Sequence, residues 1–164
     1  MKWLEAHAPG FAMLPEKDRG AIIEFAFLWS LFEAHILDGH ASVGGIRSRV
    51  EEWRGADTLA PDLYAAELVY FRGRYFANDE FTYHFPHLNL RKTDAPDLVA
   101  AVLSGANADE CDGVMTILVI VWRLRNNLFH GAKWAYHLQD QFENFSHANT
   151  VLQRVLERHG HMAG

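Results

Sequence analysis

Cysteine is nearly absent from this 164-residue chain. The single Cys111 excludes an internal disulfide framework and any cysteine-rich zinc module, so a reducing compartment is the simplest expectation. No apolar run approaches the roughly 20 residues that a membrane-spanning helix needs, and the chain opens without the charged-then-apolar pattern of a secretion signal. Together these absences predict a soluble, cytoplasmic protein that does not interact with membranes.

Acidic residues are missing from one long stretch. The chain as a whole carries a net charge of −6, yet residues 113–139 contain Arg123, Arg125 and Lys133 and no Asp or Glu. Non-specific coating of nucleic acid depends on summed positive charge, which this chain lacks. A few basic residues grouped in one segment of an otherwise acidic chain favour a local anion-binding site instead.

The length and the apolar content favour one folded domain over residues 1–164. Hydrophobic residues make up 49% of the chain, enough for a hydrophobic core that is stable without disulfide bonds. No internal repeat is present, and no segment shows the alternation of period two that indicates strands. The sequence therefore predicts an all-α, single-domain helical bundle of about five to six helices.

Several segments have apolar residues at helical spacing. They cover residues 15–36, 42–53, 61–75, 97–103, 108–129 and 135–159. The segment 108–129 begins with acids, ends with arginines and is apolar nearly all round between Val114 and Trp122, which predicts the central and most buried helix. Residues 78–96 alternate aromatic and polar side chains and are predicted to form a long irregular loop, a kind of segment that is often functional.

Polar side chains crowd the end of this apolar helix. Arg125, Asn126, Asn127 and His130 follow within a few residues, and buried polar groups are unfavourable unless they are paired. One explanation is capping, because a helix C-terminus favours basic residues and a following glycine. The alternative is a functional site.

The segment from Arg125 to Gly131 resembles the signature of the HEPN superfamily of helical-bundle proteins. That signature is an arginine, a polar residue that is often asparagine, a short spacer and a histidine, which correspond here to Arg125, Asn126 and His130. The likeness extends to Trp29 and Glu33 in the first long helix and to the aromatic and basic run at 70–75. Many members are metal-independent ribonucleases, and several act as toxins or in antiviral defence.

The resemblance implies an endoribonuclease that needs neither metal nor cofactor. In such cleavage the 2′-hydroxyl of RNA attacks the neighbouring phosphorus and leaves a 2′,3′-cyclic phosphate. His130 is the candidate general acid or base, Arg125 the stabiliser of the phosphate and its transition state, and Asn126 the positioning group. Histidine exchanges protons near neutral pH, and arginine presents a charged fork to phosphate, so the residue types suit these roles.

Four further residues are candidates around this motif. Asn127, Lys133 and Arg123 are interpreted as substrate contacts because they flank the motif and offer amide or cationic groups. Glu33 lies in the middle of an apolar helix and has two interpretations. It either orients Arg125, or it pairs with another arginine or is simply exposed, and the second interpretation is the one that general experience favours.

One chain supplies one motif histidine, whereas the reaction has two proton-transfer steps. A two-fold dimer would bring two copies of Arg125 and His130 into one composite cleft, an arrangement similar to that of HEPN ribonucleases. An antitoxin or another regulatory protein is a further expected partner besides RNA. Members controlled by tyrosine modification commonly carry a tyrosine two residues after the histidine; Ala132 at that position speaks against such control.

Two other functions remain open from the sequence. The first is a noncatalytic, HEPN-like dimeric module that binds a nucleotide, RNA or a protein, and the second is a structural bundle whose polar cluster only caps a helix. Within the predicted loop, Tyr83, His84 and His87 suggest either a metal site or an RNA-stacking segment. They lack carboxylates or cysteines at ligand spacing, which speaks against a metal.

Overall fold

Helices form most of the described part of the chain. The computed structural model describes residues 2–8, 10–129 and 141–161. Its helices are α1 Lys2–His7, α2 Glu16–His35, α3 Val43–Gly55, α4 Ala65–Tyr75, α5 Pro96–Leu103, α6 Glu110–Phe129 and α7 Phe142–His159. Short 3-10 turns lie at Phe11–Met13, Pro61–Tyr64, Phe85–Leu88 and Lys92–Asp94. The predicted all-α bundle is confirmed.

Local sequence signals set the starts of the early helices. Pro15 precedes α2, and Glu16 and Asp18 lie in its first turn, where the helix dipole favours acids. Ser42 caps α3, because its Oγ accepts a hydrogen bond of 3.0 Å from the backbone N–H of Gly45. The bounds of both helices agree with the predicted ones within a few residues.

Helix α6 forms the centre of the bundle. Every residue from Val114 to Val121 is buried, and α3, α4, α5 and α7 all pack against this helix. A helix that is apolar all round requires neighbours on every side, so this placement follows from the composition of the segment. None of the described helices is long and apolar enough to cross a lipid bilayer.

Helices α2 and α7 pack side by side. The rings of Phe25 and Phe145 meet edge to face at 5.0 Å, and the side-chain amide of Asn149 donates to the backbone oxygen of Ala21 at 3.0 Å. The prediction of a final helix over 135–159 agrees with α7 from Phe142 onward, and residues 135–140 lie outside the described part.

The stretch 78–96 contains more regular structure than the sequence predicts. Its first residues close a two-stranded antiparallel hairpin between β1, Phe76–Ala77, and β2, Glu80–Phe81. Asn78 and Asp79 connect the strands with φ of 53° and 60°, the left-handed pair that a type I′ turn requires. Two 3-10 turns follow before α5 begins. Each strand has two residues, too few for a pattern of period two to show.

Candidate functional site at the end of the central helix

Aromatic rings surround the guanidinium of Arg125. Its central carbon lies 5.9 Å from the ring centre of Trp29 on α2, and 5.7 and 5.3 Å from those of Trp122 and Phe129 on α6 itself. These separations are within the range of cation–π attraction. Trp122 and Phe129 stand three and four residues from Arg125, so helical spacing alone places all three side chains on one face.

Glu33 lies next to this arginine. Its Oε2 accepts a hydrogen bond of 3.1 Å from Nε1 of Trp29 and lies 4.0 Å from Nη2 of Arg125. The side chains of Arg125 and Glu33 are 26% and 29% exposed, so water weakens their attraction without removing it. Glu33 therefore lies at ion-pair distance from Arg125, and its role in orienting this arginine stays a prediction.

Arg125 keeps hydrogen-bonding capacity. Its Nη1 donates to Oδ1 of the buried Asn126 at 3.1 Å. Its Nε is buried without a hydrogen-bond partner among the residues that the structure describes, and Nη2 reaches Glu33 only at ion-pair distance. Because Nε is buried, Nη2 is the donor position through which the guanidinium has the means to contact a phosphate oxygen.

Arg123 has a different environment from the one expected of a substrate contact. It is 3% exposed, its Nε donates to the backbone oxygen of Leu88 at 3.0 Å, and its Nη1 lies 3.3 Å from the carboxylate of Asp94. Burial lowers the pKa of Arg123, and Asp94 opposes that shift. The arginine therefore anchors the segment before α5, and this placement speaks against direct contact with a substrate.

Asn127 belongs to the same anchor. Its side-chain nitrogen donates to the backbone oxygens of His87 and Leu88 at 3.0 and 3.3 Å, and its oxygen accepts from Asn89 at 3.2 Å. Residues two apart are separated by about 160° around a helix. Arg125 and Asn127 therefore lie on opposite sides of α6, one toward α2 and the other toward the 3-10 turn Phe85–Leu88.

Two of the predicted site residues, His130 and Lys133, lie outside the described residues, and so does Ala132. The structure therefore brings together Arg125, Asn126 and Glu33, and places Arg123 and Asn127 in a separate cluster. The roles of His130 and Lys133 stay predictions. Within the described ranges, no group of three or more His, Cys, Asp or Glu side chains is arranged to hold a metal ion.

The sequence does not identify the three aromatic rings around Arg125, those of Trp29, Trp122 and Phe129, as part of the site. Trp122 belongs to the segment predicted as the most buried helix, and Trp29, on α2, is buried. The signal present in the sequence is the spacing of Trp122, Arg125 and Phe129 on one face at the end of an apolar helix.

Comparison with known proteins does not place the chain in a family. No protein-family model, no curated protein and no solved structure matches it. The resemblance to HEPN proteins thus depends on the motif that begins at Arg125 and on the order of the helices.

Proposed function

We propose that the protein is a HEPN-type, metal-independent endoribonuclease. The observation that carries this proposal is the environment of Arg125: aromatic rings and Glu33 hold its guanidinium at the end of the most buried helix, while two of its nitrogens make no hydrogen bond to a described residue. A cation fixed in this way needs little reorganisation when a phosphate binds, which is the property that transition-state stabilisation requires.

Each motif residue has a role in the proposed reaction. Arg125 binds the non-bridging phosphate oxygens and neutralises the charge that develops as the 2′-hydroxyl oxygen attacks the phosphorus. Asn126 holds Arg125 through the contact at Nη1. His130 transfers a proton, either from the 2′-hydroxyl or to the departing 5′-oxygen, so the products are a 2′,3′-cyclic phosphate and a free 5′-hydroxyl.

We propose further that two chains form a two-fold dimer with one composite cleft, in which one His130 acts as base and the other as acid. An isologous interface would place both copies of Arg125 near the same phosphate. A role as a toxin or a defence effector, restrained by a partner protein, belongs to the same proposal.

RNA cleavage in excess chelator tests the proposed activity. We expect the native protein to cleave single-stranded RNA without added metal, and Arg125→Ala and His130→Ala each to lower the rate by about 10²–10⁴-fold, the usual effect of losing a proton-transfer or charge-stabilising group. Arg47→Ala is the matched control, because Arg47 is an exposed arginine on another helix. Product ends are identified by mass spectrometry.

The product ends and the pH profile separate the possible outcomes. Two histidines in opposite protonation states predict a bell-shaped rate profile. Equal cleavage by the native protein and both variants, or a flat profile between about pH 5 and 9, contradicts the proposed mechanism. Retention of RNA without cleavage instead supports the noncatalytic binding module.

A further inference from the structure

A second candidate site shares no residue with the surroundings of Arg125. The end of α4 and the hairpin enclose an open groove of about 750 Å³. Among its lining residues are Tyr70, Arg74, Phe81, Tyr83 and His84. The lining also includes Glu80, so the groove combines several aromatic rings with one cation and one carboxylate. A ligand with a planar ring and a negative charge would suit the part of the groove formed by the rings and Arg74.

Arg74 is the cation of this groove. Its Nε is buried without a hydrogen-bond partner in the part of the chain that is described, and no described carboxylate forms an ion pair with it. Burial raises the pKa of Tyr70 and of Tyr75, and the charge of Arg74 and side-chain hydrogen bonding with it oppose both shifts. A partly desolvated cation without a counter-ion favours binding of an anion.

Tyr83 supplies an open ring face. It is 75% exposed, and its ring centre lies 3.9 Å from that of His84. Burial lowers the pKa of His84, and the charges of Arg74 and His87 lower it further, so these effects favour the neutral imidazole. One side of the tyrosine is thus backed by the ring of His84, and the remainder of its surface faces solvent.

The walls of the groove are held in place by the hairpin. Thr82 donates from its backbone N–H to the oxygen of Tyr75 at 2.9 Å and from its Oγ1 to the oxygen of Arg74 at 2.6 Å. Phe81 stacks on Phe85 with ring centres 4.3 Å apart. The backbone that carries Arg74 and the ring of Phe81 are therefore held before any ligand arrives, which lowers the entropy lost on binding.

We propose that this groove binds a single-stranded segment of RNA, with one base stacked on Tyr83 and an adjacent phosphate paired with Arg74. That the bound nucleic acid is RNA, and not another single-stranded nucleic acid, rests on the function proposed above. Base stacking on an exposed aromatic ring tolerates any base, so the groove would add affinity without selecting a sequence.

The groove is connected to the end of the central helix. His84 precedes His87 by three residues, at most about 11 Å of chain, and Asn127 donates to the backbone oxygen of His87. The groove is therefore linked through His87 to Asn127 in the last turn of α6, on the face of that helix opposite Arg125. The groove would act as a subsite that retains a long substrate.

Fluorescence anisotropy with a labelled 12-nucleotide oligouridylate carrying 2′-O-methyl groups tests the proposal, because this probe has no 2′-hydroxyl and is not cleaved. We expect Tyr83→Ala to weaken binding by at least about fivefold, and Tyr83→Phe to retain the native affinity. Arg74→Gln is expected to weaken binding and to reduce the slope of log K against log salt concentration by about 0.7. The control is Arg47→Gln, at a surface arginine outside the groove, which is expected to change the affinity less than about twofold. Thermal unfolding of each variant confirms that it is folded.

The results separate this proposal from that of the nuclease. Native affinity in both Tyr83→Ala and Arg74→Gln overturns the groove proposal, and so does equal binding of a 12-base-pair duplex, whose bases are not free to stack. If the native protein cleaves RNA with a KM that neither variant changes, the nuclease stands and the groove proposal fails. If the variants lose binding and the native protein does not cleave, the groove stands and the nuclease fails.

Discussion

Two arginines of α6, two residues apart, have opposite environments. Arg123 is buried against Asp94 and the backbone of Leu88, whereas Arg125 is partly exposed among aromatic rings. The first has its hydrogen-bonding groups occupied by the fold, and the second retains unused donors among the described residues. The same residue type therefore stabilises the fold at one position and is available for chemistry at the other.

Replacing Arg123 tests its structural role. We expect Arg123→Met to lower the free energy of unfolding by about 3–5 kcal/mol, because the carboxylate of Asp94 is left buried without its cation. Unfolding in urea, followed by circular dichroism, measures the change.

The control for this experiment is a second substitution at the partner. Arg123→Met combined with Asp94→Asn is expected to recover most of the loss, since no unpaired charge remains. Arg47→Met, at an exposed position, is expected to change stability by less than about 0.5 kcal/mol. A loss of the same size in the single and double variants would argue against the ion pair as the cause.

The site was only partly predictable from the sequence. Residue type and helical spacing identify Arg125 and Asn126 as candidates, because both signals are local. The partners of Arg123 and Asn127 lie in the segment 87–94, some thirty to forty residues earlier in the chain. Spacing within a helix carries no information about such long-range contacts, so both residues were interpreted as substrate contacts.

At the scale of the elements, the connection into α5 contains backbone strain. Ala95 precedes this helix with φ of 51° and ψ of 52°, in the left-handed region that is unfavourable for residues with a Cβ atom. The chain needs this conformation to turn from the 3-10 turn Lys92–Asp94, which holds the partner of Arg123, into Pro96.

A glycine at this position relieves the strain. We expect Ala95→Gly to stabilise the protein by about 1 kcal/mol, which raises Tm by about 2–4 °C in a domain of this size. The matched control is Ala101→Gly inside α5, where glycine weakens a helix by about 1 kcal/mol. Differential scanning calorimetry compares the two variants, and a fall in Tm for both would show that Ala95 is not strained.

The helices were predictable and the hairpin was not. Proline, acidic first turns and apolar spacing are local signals, so the predicted helices α2 to α6 agree with the structure to within a few residues. The hairpin depends on the left-handed pair Asn78–Asp79 between strands of two residues each. Asparagine and aspartate occur in many irregular loops, so the pair alone does not distinguish a hairpin from a loop.

At the scale of the whole molecule, the proposed composite cleft predicts a dependence between subunits. We expect a mixed dimer with one native chain and one His130→Ala chain to cleave RNA at less than about a tenth of the native rate, because each reaction would use both histidines. Differently tagged chains, co-expressed and purified by both tags in sequence, provide the mixed dimer.

Independent sites would give a different result. A mixed dimer with half of the native rate shows that each chain acts alone, and one with the full rate excludes the shared cleft. Analytical ultracentrifugation of the same samples establishes whether a dimer is present at all.

The central position of α6 has a consequence for the order in which the chain folds. The helices α2 to α5 are synthesised before α6. Because α3, α4 and α5 pack against α6, the surface that they cover does not exist until residue 129 has been made. Until then their apolar faces have no permanent partner and are open to association with other chains. A ribosome that pauses before α6 would therefore hold a nascent chain whose apolar helix faces are still uncovered.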